Sequence, residues 1–313
     1  MSGGASGVGA ASGAVRARLD TDRWHFQHGP IDLILAVEGD FEACERSMAA
    51  CWDRFQSVLP GLVAELAQLR RPAAEWPAVR DPVSARMVHA CAPFAAERFI
   101  TPMAAVAGAV ADELIEIFRR PGISRAFINN GGDIALHLTA GEKYRVGIWS
   151  NLGHARSPSD SGRDVDSRFV VSADMPVRGV ATSGWRGRSF SLGIADSVTV
   201  LANTAAAADA AATLIANAVN CDFAGIARVP AEQLKDDTDL GSLPVTVDVP
   251  ALPPAAIAAA LESGRAEAEC WRERGVIYAA ALFLQGQVEL VLPRTTAVLP
   301  RPAPGLTFER VVA

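Results

Sequence analysis

Residues 189–220 read SFSLGIADSVTVLANTAAAADAAATLIANAVN. The β-branched run at Ser197–Val200 has the composition of a strand. The alanine-rich stretch from Thr204 to Asn220 reads as a helix, because alanine loses the least freedom on entering one. Thr204 stands where an N-cap belongs and Asn220 where the helix stops. Upstream, VRGVATSG (177–184), YRVGIWS (144–150) and SRAFINNGGDIALHL (124–138) read as strands, the last as two strands about a glycine turn. Before them, Thr101-Pro102 opens a helix that runs over 103–120 and ends at Pro121-Gly122. Residues 16–38 read as two strands about Gly29-Pro30, and 41–71 as a helix that Pro60-Gly61 divides. Residues 72–93 are a Pro-rich connector, 151–168 a polar loop, and 230–253 a polar stretch around DDTD. Downstream come a helix at 253–275 and a hairpin over 275–293 around Gln285-Gly286. Strands and helices mix without regular βαβ alternation, so the expected class is α+β, with mixed or antiparallel sheets packed with helices. The expected organisation is a disordered lead at 1–15, one domain at 16–293 and a C-terminal tail at 294–313.

Composition removes several function classes. Twenty-nine basic against 35 acidic residues leave a net charge of −6, which argues against nucleic acid and anionic membranes as partners. Aromatics make up 6%, too few for base-stacking platforms. No run nears the ~18–20 apolar residues that span a bilayer. The start, MSGGASGVGAASGAVR, lacks the apolar core of a secretion signal. Five cysteines, odd in number and without a CxxC pair, read as free thiols in a reducing cytoplasm.

Four constellations carry chemistry. Asn129-Asn130-Gly131-Gly132-Asp133 is either a plain hairpin turn or a close-approach loop whose amides hold an anion and whose Asp133 holds a polar group. Thr182-Ser183-Gly184 is either a loop corner or a set of hydroxyls and amides facing a phosphate or a flavin edge. Asp209 and Thr213 are four apart, so they share one helix face. An acid in an alanine-rich helix either faces water or needs a partner, and a hard cation such as Mg²⁺ suits carboxylate plus hydroxyl. Asp196 is a turn residue or a supporting acid, and Asp112 is a similar case. The histidines have no zinc spacing: His25 and His28 fall on opposite faces of a strand, though His28 with Gln27 can line a pocket.

In order, VAGAVAD, INNGGDI, GVATSG, and DSVTV with ADAAAT resemble the ApbE superfamily of flavin transferases, in an uncharacterised branch. RWHFQHGPIDLIL and GVIYAAALFL resemble that branch too, over residues 16–293. The resemblance implies a T-fold arrangement and two small molecules, Mg²⁺ and FAD. It implies Asp209, Thr213 and a backbone carbonyl near Val106 as metal ligands. Around the flavin it implies Asn130, Gly131, Gly132, Asp133, Thr182, Ser183 and Gly184. Asp196 or Asp133 would position the attacking hydroxyl of a target-protein threonine; FMN would move to it from FAD and AMP would leave. Transferases of this type carry Lys where Ala107 stands, and a His-bearing insert before the SVTV strand that is missing here. The alternative implied is a non-catalytic accessory protein that binds another small ligand, in sulfur assimilation. Small-residue helices also permit a homo-oligomer.

Overall fold

The computed structural model describes residues 13–148, 167–293 and 309–310. The first half runs β1 (Val15–Arg18), β2 (Arg23–His28), β3 (Ile31–Gly39), α1 (Phe41–Ala64), α2 (Leu66–Leu69), α3 (Pro82–Cys91) and α4 (Val106–Ile115). Then come β4 (Ile123–Asn130), β5 (Asp133–Leu138), β6 (Lys143–Ile148), β7 (Ser167–Ser172), β8 (Gly179–Ser183), β9 (Ser197–Ala202) and α5 (Ala205–Ala218). The chain continues through β10 (Ala227–Pro230), α6 (Ala231–Leu234), β11 (Pro244–Asp248), α7 (Pro254–Glu273), β12 (Ala279–Leu284), β13 (Gln287–Val291) and β14 (Glu309–Arg310).

Nine strands form one sheet in the order β1-β2-β3-β4-β5-β8-β9-β12-β13. Every pairing in it is antiparallel. The class is therefore α+β, as the sequence predicts. The long helices cover one face, and their core takes Leu33 and Leu35 of β3 and Val198 and Val200 of β9. On the other face, Val146, Phe169 and Val171 of β6 and β7 pack over Leu136, Val180, Leu201 and Phe283. Being covered on both sides, β9 and β12 are buried at all six positions each. That is why SVTVLA and AAALFL read as continuous runs rather than alternations. The predicted helix over 204–220 is α5, and Thr204 Oγ1 accepts from the Ala207 amide at 3.2 Å.

Several expectations are corrected. Residues 16–38 hold three strands, since a further hairpin joins β1 to β2. The connector at 72–93 contains α3, which Asp81 caps by accepting from the Val83 amide at 2.8 Å, with Pro82 at its first position. Asp-Pro is a helix-start signal that the Pro-rich composition masks. The helix at 103–120 is α4 flanked by 3-10 turns at Pro102–Ala105 and Glu116–Phe118. Thr101 does not cap it with its side chain; the hydroxyl donates to the Asp239 carboxylate. The stretch 230–253 contains α6 and β11, and β11 pairs with β10. The polar loop up to residue 166, and residues 294–308, lie outside the described residues.

Candidate functional site

α4 and α5 touch backbone to backbone. A Cβ added at Gly108 would lie 2.3 Å from the Ala205 carbonyl oxygen. The small residues at this crossing thus serve internal packing. Each helix also supplies an acid that accepts from the first turn of the other. Asp112 of α4 accepts from the Ala205 and Ala206 amides at 2.9 and 2.8 Å. Asp209 of α5 accepts from the Gly108 amide at 3.0 Å, and the Ala107 amide bonds it too. Free N–H groups at helix starts are suited to negative charge.

The tip of the β4–β5 hairpin meets this crossing. Asn130 donates to the Ala107 carbonyl at 3.1 Å. Gly131 and Gly132 take positive φ values of 68° and 118°, so the tight-turn reading of this motif holds. The Gly132 amide donates to Asn129 Oδ1 at 2.8 Å, which removes one donor from any anion. Asp133, 9% exposed, accepts from the Thr182 amide at 3.2 Å. Burial pushes its carboxyl well above the usual carboxylate range. Burial and then the charge of Asp133 push Asp209 well above that range too. Asp209 is half-buried. Neither acid has an ion pair among the described residues.

The remaining predicted site residues divide. Val106 begins α4, next to Ala107. Thr213 follows Asp209 by one turn of α5 and is half-buried. The Thr182 hydroxyl meets Thr199 Oγ1 at 2.9 Å, and Ser183 is paired across from Val198. Gly184 has no room for a side chain: a Cβ there would be 2.6 Å from the Asp196 carbonyl oxygen. The Asp196 carboxylate accepts from the Gln285 amide at 2.6 Å and from Arg186 Nε at 3.4 Å. Arg186 in turn lies 4.4 Å over the Trp185 ring. His25 is tied to Asp32 at 2.6 Å. Sequence reading misses Arg188, whose Nη1 is 3.6 Å from where a Gly131 Cβ would be. It also misses the capping role of Asp112; an acid inside the small-residue helix was the available signal.

Carboxylates and hydroxyls are the donor types that a hard divalent cation takes. A buried and a half-buried acid without cationic partners are costly as charged groups, and a cation offsets that cost. Each carboxylate oxygen that accepts one N–H retains a second lone pair. Among the described residues no group of three or more His, Cys, Asp or Glu could hold a metal by itself. A hydroxyl, a carbonyl or ligand oxygens would have to complete the shell.

The sequence model of the family described as AbpE bacteria matches residues 16–290. The UPF0280 protein of Methanothermobacter thermautotrophicus is 43% identical over 122 residues, 39% of this chain and 43% of that protein. The UPF0280 protein of Methanothrix thermoacetophila is 35% identical over 142 residues, 45% of this chain and 54% of the relative. The chain thus spans about half the length of the curated relatives it matches. Among solved structures, the ApbE protein of Thermotoga maritima gives a TM-score of 0.47 at 13% identity, over 85% of this chain and 96% of that one. No helix among the described residues is long and apolar enough to cross a membrane. With the match extending over nearly the whole described chain, the protein belongs to the ApbE-like family described as AbpE bacteria.

Proposed function

We propose that this protein binds a flavin nucleotide together with Mg²⁺ at the crossing of α4 and α5, and transfers FMN from FAD to a protein threonine in the cytoplasm. One observation supports this most: Asp133 is buried and Asp209 half-buried, neither has an ion pair among the described residues, and the charge of Asp133 raises the proton affinity of Asp209. Asp209 and Thr213 would hold the ion with a carbonyl near Val106. An ion held there would neutralise phosphate oxygens and so favour attack at phosphorus.

The chain's own residues do the rest. Asn130 fixes the hairpin tip to α4 through the Ala107 carbonyl, so the glycine turn stays at the acid pair. Gly131 and Gly132 leave the tip without side chains, and no atom lies within 4 Å of where a Gly132 Cβ would sit. A planar ligand can approach the backbone closely there. The Thr182 amide holds Asp133 at Oδ1, and its second oxygen would be the one to meet an incoming hydroxyl. Asp196, held by Gln285 and Arg186, supports the strands behind that wall.

The test is calorimetry with FAD, with and without Mg²⁺, followed by an assay for AMP. Mg²⁺-dependent binding with AMP release is the expected result. Absence of binding in both conditions overturns the reading. Ala107 at the position of the transferases' lysine favours a second reading, an accessory protein that binds a small ligand without turnover. Binding without AMP release would select it.

A further inference from the structure

The tip of the β4–β5 hairpin has two sides, and they differ in chemistry. Asn130 and its cross-strand partner Asp133 share the helix side, since Asn130 donates to the Ala107 carbonyl of α4. Leu33 of β3 pairs with Asn130, so Asp32, one residue before it, stands level with Gly131. Leu33 belongs to the helix-side core, and Asp32 therefore faces the other side. There the loop after β8 brings in Arg188. Its Nη1, 3.6 Å from where a Gly131 Cβ would be, is the one heavy atom within 4 Å of that point apart from the chain neighbours. Its Nη2 lies 3.9 Å from Asp32 Oδ2. The loop is fixed at its base. The Gly187 amide donates to the Gly184 carbonyl at 3.0 Å, and the Trp185 amide donates to the Ala195 carbonyl at 3.1 Å. Arg186 is committed to Trp185 and Asp196. Arg188, by contrast, has a side chain 73% exposed and Asp32 as its one ion-pair partner among the described residues. A contact that long and that exposed holds a guanidinium weakly. Asp32 has a closer partner in His25, whose Nε2 lies 2.6 Å from Oδ1.

We propose that Arg188 is a positioning residue that holds the diphosphate of the nucleotide against the Gly131-Gly132 turn. The assignment rests on the flavin-nucleotide reading above and names the part of the ligand that this side of the tip takes. Charge requires such a residue. Asp133 and Asp209 repel phosphate, and a divalent ion between them only offsets their two charges. A diphosphate brings further negative charge, which a cation of the chain has to meet. Shape permits it. Nothing lies within 4 Å of where a Gly132 Cβ would be, so phosphate oxygens can come up to the backbone. The guanidinium fork suits them, because two of its N–H groups bond two oxygens of one phosphate in parallel. Leaving Asp32 costs the arginine little, and Asp32 keeps His25 when it goes.

The test is calorimetry of the full chain with Mg²⁺ present. Inorganic pyrophosphate, FAD and riboflavin are titrated into the wild type, Arg188→Gln and Arg188→Lys. The side chain is exposed, so both variants are expected to keep the wild-type circular dichroism spectrum. Arg188→Gln is expected to weaken pyrophosphate and FAD by about tenfold or more, through loss of charge-assisted hydrogen bonds. Arg188→Lys is expected to recover part of that loss, since the charge returns without the fork. Riboflavin, which has no phosphate, is expected to give the same result with the wild type and Arg188→Gln. An Arg188→Gln chain that binds FAD and pyrophosphate as the wild type does overturns the role of the arginine and leaves the flavin reading standing. A riboflavin affinity that falls as far as that of FAD overturns it too, because the residue would then shape the site rather than hold phosphate. A wild type that does not bind FAD overturns the flavin reading, and pyrophosphate then decides for the arginine. Weaker pyrophosphate binding in Arg188→Gln upholds a diphosphate site at the tip, and equal or absent binding overturns it.

Discussion

At the scale of single residues, the acids of the crossing do different work. Asp209→Ala is expected to abolish Mg²⁺-dependent FAD turnover while the chain stays folded; unchanged AMP release would remove the metal assignment. Asp112 gives a pH dependence of stability. Burial raises its pKa from 3.8 to about 6, against the opposing pull of the Ala206 and Ala205 amides. Between those two values the folded chain keeps a proton that the unfolded chain has released. Stability from this group is therefore full at the acid end and falls as pH rises through about 6. Asp112→Asn is expected to flatten that fall, measured as urea midpoints across the interval; an unchanged slope would assign the titration elsewhere. Both acids were legible as candidates in the sequence, because an acid amid alanines is conspicuous. Their engagement with each other's helix was not, because the partners lie 93 and 101 residues away. Asp196 looked equally eligible, and only the fold gives it to Gln285 and Arg186.

At the scale of elements, small residues decide where helices meet. Gly108→Val would force a branched side chain into the Ala205 backbone. Overpacking of that kind costs about 1–3 kcal/mol, so a lowered thermal midpoint is expected, with the α4–α5 pair spread apart. Wild-type stability in that variant would mean the helices do not cross so closely. Asp81→Ala is expected to cost about 1 kcal/mol through loss of the α3 cap, read as a shift in denaturant midpoint. The elements that the sequence makes clear are those with one dominant pattern. The alanine helix, the Gln285-Gly286 hairpin and the strands about Gly131-Gly132 are of this kind. α3, β7 and the β10–β11 pair were hidden because each is short and flanked by prolines or polar residues. Their existence depends on what they pack against, which local periodicity does not carry.

At the scale of the whole molecule, one continuous sheet orders everything else. Its middle strand β9 is buried throughout, whereas β1 is exposed at all four positions and β13 at four of five, so resistance to opening is graded across it. The β9 amides are expected to be among the slowest to exchange and those of β1 among the fastest; uniform protection would contradict this gradient. The overall class was readable from the irregular mixing of elements, but the strand order was not. β5 skips to β8, and β9 to β12, because intervening segments leave to cover the two faces. The exchanged caps of α4 and α5 have a further consequence. They act as a non-covalent cross-link that closes roughly a hundred residues of chain, as a long-loop disulfide would. While one clasp is closed, the other re-forms at high effective concentration. Loss of either acid alone should thus be mild for the cohesion of the pair, and loss of both should exceed the sum. The site therefore exists only in a chain whose distant halves have already met.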